Sequence, residues 1–167
     1  MSSFDRRRLL LCAAAIVAAG GLAGCGFTPV YGPGGAGRAL YGRIVFEAPP
    51  TEAGYLIIRE LEERLGRATQ ADFHLLVEPV LQEDGQAVTA SGEITRISLL
   101  GQTEFALRRV GSDDILTSGD VQSFTGYSAT GSTVETLAAE SDARERLMTI
   151  LADQIATRLL STPGLAP

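Results

Sequence analysis

The sequence predicts an α+β fold: a two-layer sandwich in which two helices pack on one face of a four-stranded sheet, in the order β-α-β-β-β-α. Three observations predict it. Apolar residues recur at period two in several separate stretches and at helical period in two others. The alternating stretches have one dry and one wet side, as in an antiparallel sheet covered on a single face. The 167 residues, 45% hydrophobic and 20% charged, suit one globular domain with one core.

Arg43-Ile44-Val45-Phe46-Glu47 is short, branched and aromatic, and Pro49-Pro50 stops it, which reads as the first strand. Thr51 can cap the helix that follows. There Ile57, Ile58, Leu61 and Leu65 recur at helical spacing, and Arg59, Glu60, Glu62, Glu63, Arg64 and Arg67 form a solvated opposite face. Glu60 with Arg64 and Glu63 with Arg67 are (i, i+4) pairs in the favourable order.

Phe73, Leu75, Val77 and Leu81 share one side of a second strand, opposite Asp72, His74, Glu78 and Gln82, with Glu83-Asp84-Gly85 as a turn after it. Pro79 cannot donate to a ladder and implies an edge or a bulge. In the third strand Thr95, Ile97, Leu99, Thr103, Phe105 and Leu107 point inward, and Arg96, Ser98, Gln102, Glu104 and Arg108 outward. Gly111-Ser112-Asp113-Asp114 is a hairpin turn, and a polar strand returns from Ile115 to about Tyr127. A helix then runs from about Val134 or Glu140 to Leu160. Its expected buried stripe is Ala143, Leu147, Ile150, Leu151, Ile155 and Leu159, and Pro163-Gly164 ends it. The second face of the sheet has no cover, so it is wet or meets a partner.

The N-terminus carries a different signal. Arg6-Arg7-Arg8 precedes an apolar run from Leu9 to Ala23, the pattern of a signal peptide and too short for a comfortable membrane span. It closes with Leu22-Ala23-Gly24-Cys25, which resembles a bacterial lipobox. Small side chains admit a peptidase, and the Cys25 thiol can carry a thioether-linked diacylglycerol and, after cleavage, an N-acyl chain. Each buried CH2 contributes about 0.8 kcal/mol, so several chains on one residue anchor stably. Cys12 lies in the discarded run, which leaves no thiol for a disulfide or metal.

Gly26 to Leu40, with Pro29, Gly32, Pro33, Gly34, Gly35 and Gly37, reads as a tether. No Lys-Ser/Thr follows its glycines, so it is not a phosphate-binding loop. The chain thus divides into a leader (1–24), an acylated tether (25–40), a folded domain (41–162) and a short tail (163–167).

Function classes narrow on charge and inventory. The net charge is −6, and loss of Arg6, Arg7, Arg8 and Asp5 with the leader makes the remainder more acidic. That sign disfavours nucleic acid as a partner. The single histidine, His74, lies on the outward side of a strand, with no Gly-x-Ser-x-Gly elbow and no metal-ligand spacing anywhere. Glu135, Glu140 and Asp142 near a helix start are explained by the helix dipole. No catalytic residue, cofactor or metal is expected.

The opening Leu22-Ala23-Gly24-Cys25-Gly26-Phe27-Thr28-Pro29-Val30-Tyr31 and the late run Ala143-Arg144-Glu145-Arg146-Leu147 resemble the lipopolysaccharide-assembly lipoprotein family LptE, of α-proteobacterial type. The order of elements between them fits that family's fold. The resemblance implies a lipid-anchored protein on the periplasmic side of the outer membrane, without catalysis. It would plug and help assemble the β-barrel LptD and assist insertion of lipopolysaccharide into the outer leaflet.

Enteric members carry a basic residue in the turn before the long strand and another near the start of the last helix. Here those regions read Thr89-Ala90-Ser91-Gly92 and Thr136-Leu137-Ala138-Ala139, with no base. A contact to lipid A phosphates would need another cation, and Arg96, Arg108 and Arg109 are the candidates. The alternative is an auxiliary lipoprotein of a lipid-trafficking ABC transporter, which would also join a lipobox to a compact α+β domain. Gly26 after Cys25 is not the aspartate that retains enteric lipoproteins in the inner membrane, which favours the outer one.

Overall fold

A computed structural model describes residues 29–32, 35–88, 92–162 and 164–165. The leader, Cys25 and Thr89-Ala90-Ser91 lie outside the described residues. The elements are α1 (Ala36–Leu40), β1 (Ile44–Glu47), α2 (Glu52–Leu65), β2 (Phe73–Val88), β3 (Ile94–Arg109), β4 (Ile115–Ser128) and α3 (Thr133–Ser161). The sheet order is β1-β2-β3-β4, and α2 and α3 pack against the same face. This is the expected α+β sandwich, with one short helix added.

β1 and β2 pair in parallel, Ile44 against Phe73, through the α2 crossover. The β2–β3 and β3–β4 pairs are antiparallel. Period two holds between the register shifts after Gly85 and beside Leu107. Phe73, Leu75, Val77, Leu99, Phe105, Leu107 and Val121 are buried under the helices. Pro79 stands opposite Thr103 with no break in register, beyond the end of β1, so β2 is an edge strand there, as its missing N–H requires.

The Thr51 hydroxyl accepts from the Gly54 N–H at 3.1 Å and caps α2. Ser132 and Glu135 form a full capping box at the start of α3, which fixes that start earlier than the apolar stripe suggests.

Several boundaries differ from expectation, each for a packing reason. The tether ends sooner: Ala36–Leu40 is helical, because Ala39 and Leu40 are buried in the core. Leu165, assigned to the tail, also joins the core. β2 does not turn at Glu83-Asp84-Gly85 but continues to Val88, with register shifts after Gly85, because β3 offers a matching ladder to its whole length. On α2, Leu56 is buried where Ile58 was expected to be, and on α3 Met148 and Ala152 complete the stripe while Ile150 is exposed. The stripe follows the sheet surface below it, which a helical-wheel count does not see.

The charged face of α2 is not simply solvated. Glu60 is only 8% exposed and faces α3. Its carboxylate accepts from Arg64 at 3.0 Å, Arg59 at 3.1 Å and Thr149 at 3.2 Å, while Arg64 also pairs with Asp153. Arg67 pairs with Glu62 rather than Glu63.

Burial alone would raise the Glu60 pKa. The hydrogen bonds from Arg64, Arg59 and Thr149 and the charge of Arg64 outweigh it and hold the carboxyl below its ordinary 4.5. A depressed folded-state value stabilises above about pH 4.5, and that stabilisation is lost as pH falls further. Glu60→Gln is therefore expected to lower stability at pH 7 by about 1–3 kcal/mol and to flatten the acid limb. Urea melts from pH 7 to pH 3 check this: parallel curves for the two proteins would remove Glu60 from the acid response.

Candidate interaction face

The uncovered side of the sheet is built from the alternate residues of three long strands, and the register sets them in rows. His74 faces Arg108, and beyond them come Leu76, Ala106 and Ser118. Next is Glu78–Glu104–Asp120, then Val80–Gln102–Gln122, then Gln82–Leu100–Phe124. Asp84, Ser98 and Gly126 follow, and Arg96 stands near the far end. The face is banded: one acidic row, then an apolar patch of Val80, Leu100 and Phe124.

Phe124 is 72% exposed, Val80 56% and Leu100 43%. Phe124 and Leu100 are directly opposed, and Val80 is diagonal to Leu100, within reach of contact. Three apolar side chains exposed together on a sheet are unusual for a surface that stays wet. Glu78, Glu104 and Asp120 line a broad, open depression with Leu76, Gln102 and Ala106. Like charges directly opposed across strands destabilise a sheet. Among the described residues, none of these three carboxylates is paired with a cation.

The three candidate arginines do not converge. Arg96 and Arg108 both lie on this face but 12 residues apart along β3, about 40 Å at strand rise. Arg109, one residue on, turns to the helix side and stacks its guanidinium 5.6 Å from the Phe73 ring centroid. Arg96 is exposed. Arg108 is partly buried, and its Nε has no hydrogen-bond partner among the described residues. Strand alternation separates Arg108 from Arg109, and strand length separates both from Arg96.

His74 Nε2 lies 2.8 Å from Glu47. Of the acids near the start of α3, Glu135 belongs to the capping box, which holds its carboxyl below its ordinary value through the Ser132 backbone and hydroxyl donors. Glu140 pairs with Arg144, and Asp142 with Arg146. Arg144 reaches further, to Glu52 at 2.9 Å and Glu83 at 3.3 Å, tying α3 to α2 and β2. Composition did not single out Arg144 for this role, because its partners lie 92 and 61 residues away.

The first turns of α3 extend past the core, with Val134 76% and Leu137 60% exposed. No helix among the described residues is long and apolar enough to cross a membrane.

Comparison with known proteins fits this architecture. The family model described as LptE, lipopolysaccharide-assembly, matches residues 40–159. The chain belongs to the LptE family. No curated protein matches it by sequence. Among solved structures, a lipoprotein from Caulobacter crescentus CB15 superposes with a TM-score of 0.61 at 19% identity, over 75% of this chain and 93% of that one. Rare lipoprotein B from Shewanella oneidensis gives 0.56 at 15% identity, over 72% and 95%. A lipoprotein B from Nitrosomonas europaea gives 0.55 at 12%, over 72% and 83%.

At these identities the structural neighbours speak for the fold alone. The LptE match spans α1's last residue through almost all of α3, so the long β2–β3–β4 meander and both large helices belong to the family core.

Proposed function

We propose that this LptE-type chain is exported, acylated at Cys25 and held at the periplasmic side of the outer membrane, where its bare sheet face seats within the β-barrel LptD. There it plugs the barrel, assists its assembly and takes part in placing lipopolysaccharide in the outer leaflet, without catalysis. The family match over residues 40–159 carries this reading. The bare face supports it. A sheet with an apolar patch and unneutralised carboxylates is relieved by a partner that covers Phe124 and brings cations to Glu78, Glu104 and Asp120.

Affinity capture tests it. Tagged full-length protein solubilised from outer membranes is expected to bring down LptD, and its depletion to reduce lipopolysaccharide at the cell surface. Co-purification with an inner-membrane transporter instead, with surface lipopolysaccharide unchanged, would reject the reading in favour of the transporter-linked alternative.

Direct contact with lipid A phosphates is a separate part of the proposal, and the geometry constrains it. Arg96 and Arg108 are too far apart to hold one phosphate, and the acidic row between them repels anions. Arg96→Ala and Arg108→Ala are expected to change lipopolysaccharide binding independently, the double variant showing the sum of the two free-energy changes. Titration of lipopolysaccharide into the four proteins measures this. A double-variant effect well off the sum would show that they share one site.

A further inference from the structure

We propose that the end of the domain formed by Val30, Tyr31, α1 and Tyr41 rests in the headgroup layer of the bilayer that holds Cys25, with Arg38 turned to lipid phosphate. This rests on the reading of Cys25 as acylated, and it adds a second, non-covalent membrane contact that orients the molecule.

The first observation is reach. Pro29, where the described chain begins, is four residues from Cys25, so at most about 14 Å of extended chain separates them. An acyl chain on Cys25 therefore holds Pro29 and its surroundings next to the headgroups, whatever path the intervening residues take.

The second observation is what stands there. Val30 is 39% exposed, and Tyr31 and Tyr41 are each 59% exposed. Tyrosine has an apolar body and a polar tip, and it is enriched at membrane–water interfaces for that reason. Both rings are held rather than loose. The Tyr31 ring lies so close over Gly37 that an added Cβ would meet it at 2.6 Å, and the Tyr41 ring lies over Gly66.

The third observation is the charge. Tyr31, Gly37, Arg38 and Tyr41 line one open notch. Arg38 is exposed, and no carboxylate is paired with it among the described residues, whereas Arg43, Arg59, Arg64, Arg67, Arg144 and Arg146 all have acidic partners. A guanidinium in a notch lined by two tyrosines matches a phosphodiester.

The platform is firm. Gly37 N–H donates to the Val30 carbonyl at 3.0 Å, Tyr41 N–H to the Gly37 carbonyl at 3.0 Å, and Gly42 N–H to the Leu65 carbonyl at 2.7 Å. Ala39 and Leu40 are buried, so α1 moves with the core. β2 starts at this same end and runs 16 residues, about 50 Å. Contact at α1 thus points the β2–β3 tip, with exposed Ile94, away from the anchoring headgroups.

The chain has no tryptophan, so single reporters can be placed. Full-length acylated protein carrying Tyr31→Trp, Tyr41→Trp or Phe124→Trp is reconstituted in phosphatidylethanolamine/phosphatidylglycerol vesicles, with and without brominated acyl chains. The Tyr31→Trp and Tyr41→Trp reporters are expected to emit at shorter wavelength and to lose most of their emission to bromine, and the Phe124→Trp reporter to do neither. Arg38→Gln is expected to weaken quenching at Tyr31→Trp while the protein still floats with the vesicles.

Vesicle-bound protein whose Tyr31→Trp and Tyr41→Trp reporters are unquenched would overturn the proposal and leave acylation standing. Quenching equal at Phe124→Trp would also overturn it, since the domain would then lie flat. A full-length protein with no acyl mass on Cys25, which does not float, would instead defeat the reading beneath it.

Discussion

Leu151→Ala is expected to lower the unfolding free energy by about 2–5 kcal/mol, a loss of the order of 10 °C in melting temperature for a domain of this size. Leu151 is fully buried on α3 and presses on β3 at Gly101, where an added Cβ would meet its Cδ1 at 2.9 Å and Leu147 Cδ2 at 3.0 Å. The glycine lets helix and sheet approach. For the same reason, no side chain on the sheet below can swing up to fill the space that the leucine leaves, and the cavity stays.

The converse change, Gly101→Val, overfills the same contact and is expected to cost about 1–3 kcal/mol. Gly101→Ala placed in the Leu151→Ala background should recover part of the loss, because the truncated leucine makes room for the added methyl, which fills part of the cavity. Thermal melts of the singles and the double decide it. Strict additivity would show that the two positions are not in contact.

Phe124→Arg is expected to abolish capture of LptD, weakening association at least about 30-fold, the effect of losing roughly 2 kcal/mol at an aromatic contact. The melting temperature should barely change, since substitutions at exposed positions generally fall within about 0.5 kcal/mol. Phe124 is 72% exposed and opposes Leu100 in the apolar patch, so the domain itself gains little by keeping a phenyl ring there. A Gln122→Arg control on the adjacent row separates the loss of the ring from the gain of a charge. Undiminished capture by Phe124→Arg would move the interface off the bare sheet face.

Much of the fold was legible because period two and helical period are local properties. The inward set on β3, from Leu99 to Leu107, was read correctly, as was the Thr51 cap. A side chain three residues from its backbone partner leaves its mark in a short window. The Glu83-Asp84-Gly85 turn was misread for the opposite reason. Those residues favour turns in isolation, but each finds a partner on β3, Glu83 at Leu99, Asp84 at Ser98 and Gly85 at Ile97, and the ladder overrides the preference. Ile58 and Ile150 fit their apolar stripes equally well by spacing, yet neighbours chosen by the sheet's twist took the buried places.

The interaction face was half legible. That one side of the sheet lacks a cover followed from counting two large helices against four strands. Which residues stand together on it did not. Glu78, Glu104 and Asp120 become a row only once two ladders are in register, and Arg96, Arg108 and Arg109 look like a group only while the strand's length and alternation are ignored.

What the residues determined unaided is what depends on near neighbours: the alternation of each strand, the Thr51 cap and the negative charge. Tertiary structure alone decided the burial of Glu60 between two helices, the Arg144 ties, the helical turn at Ala36–Leu40 and the banding of the bare face. Each of these joins positions far apart in the chain, and no short window of sequence records which distant partner will lower the energy of a charge or fill a gap in the core.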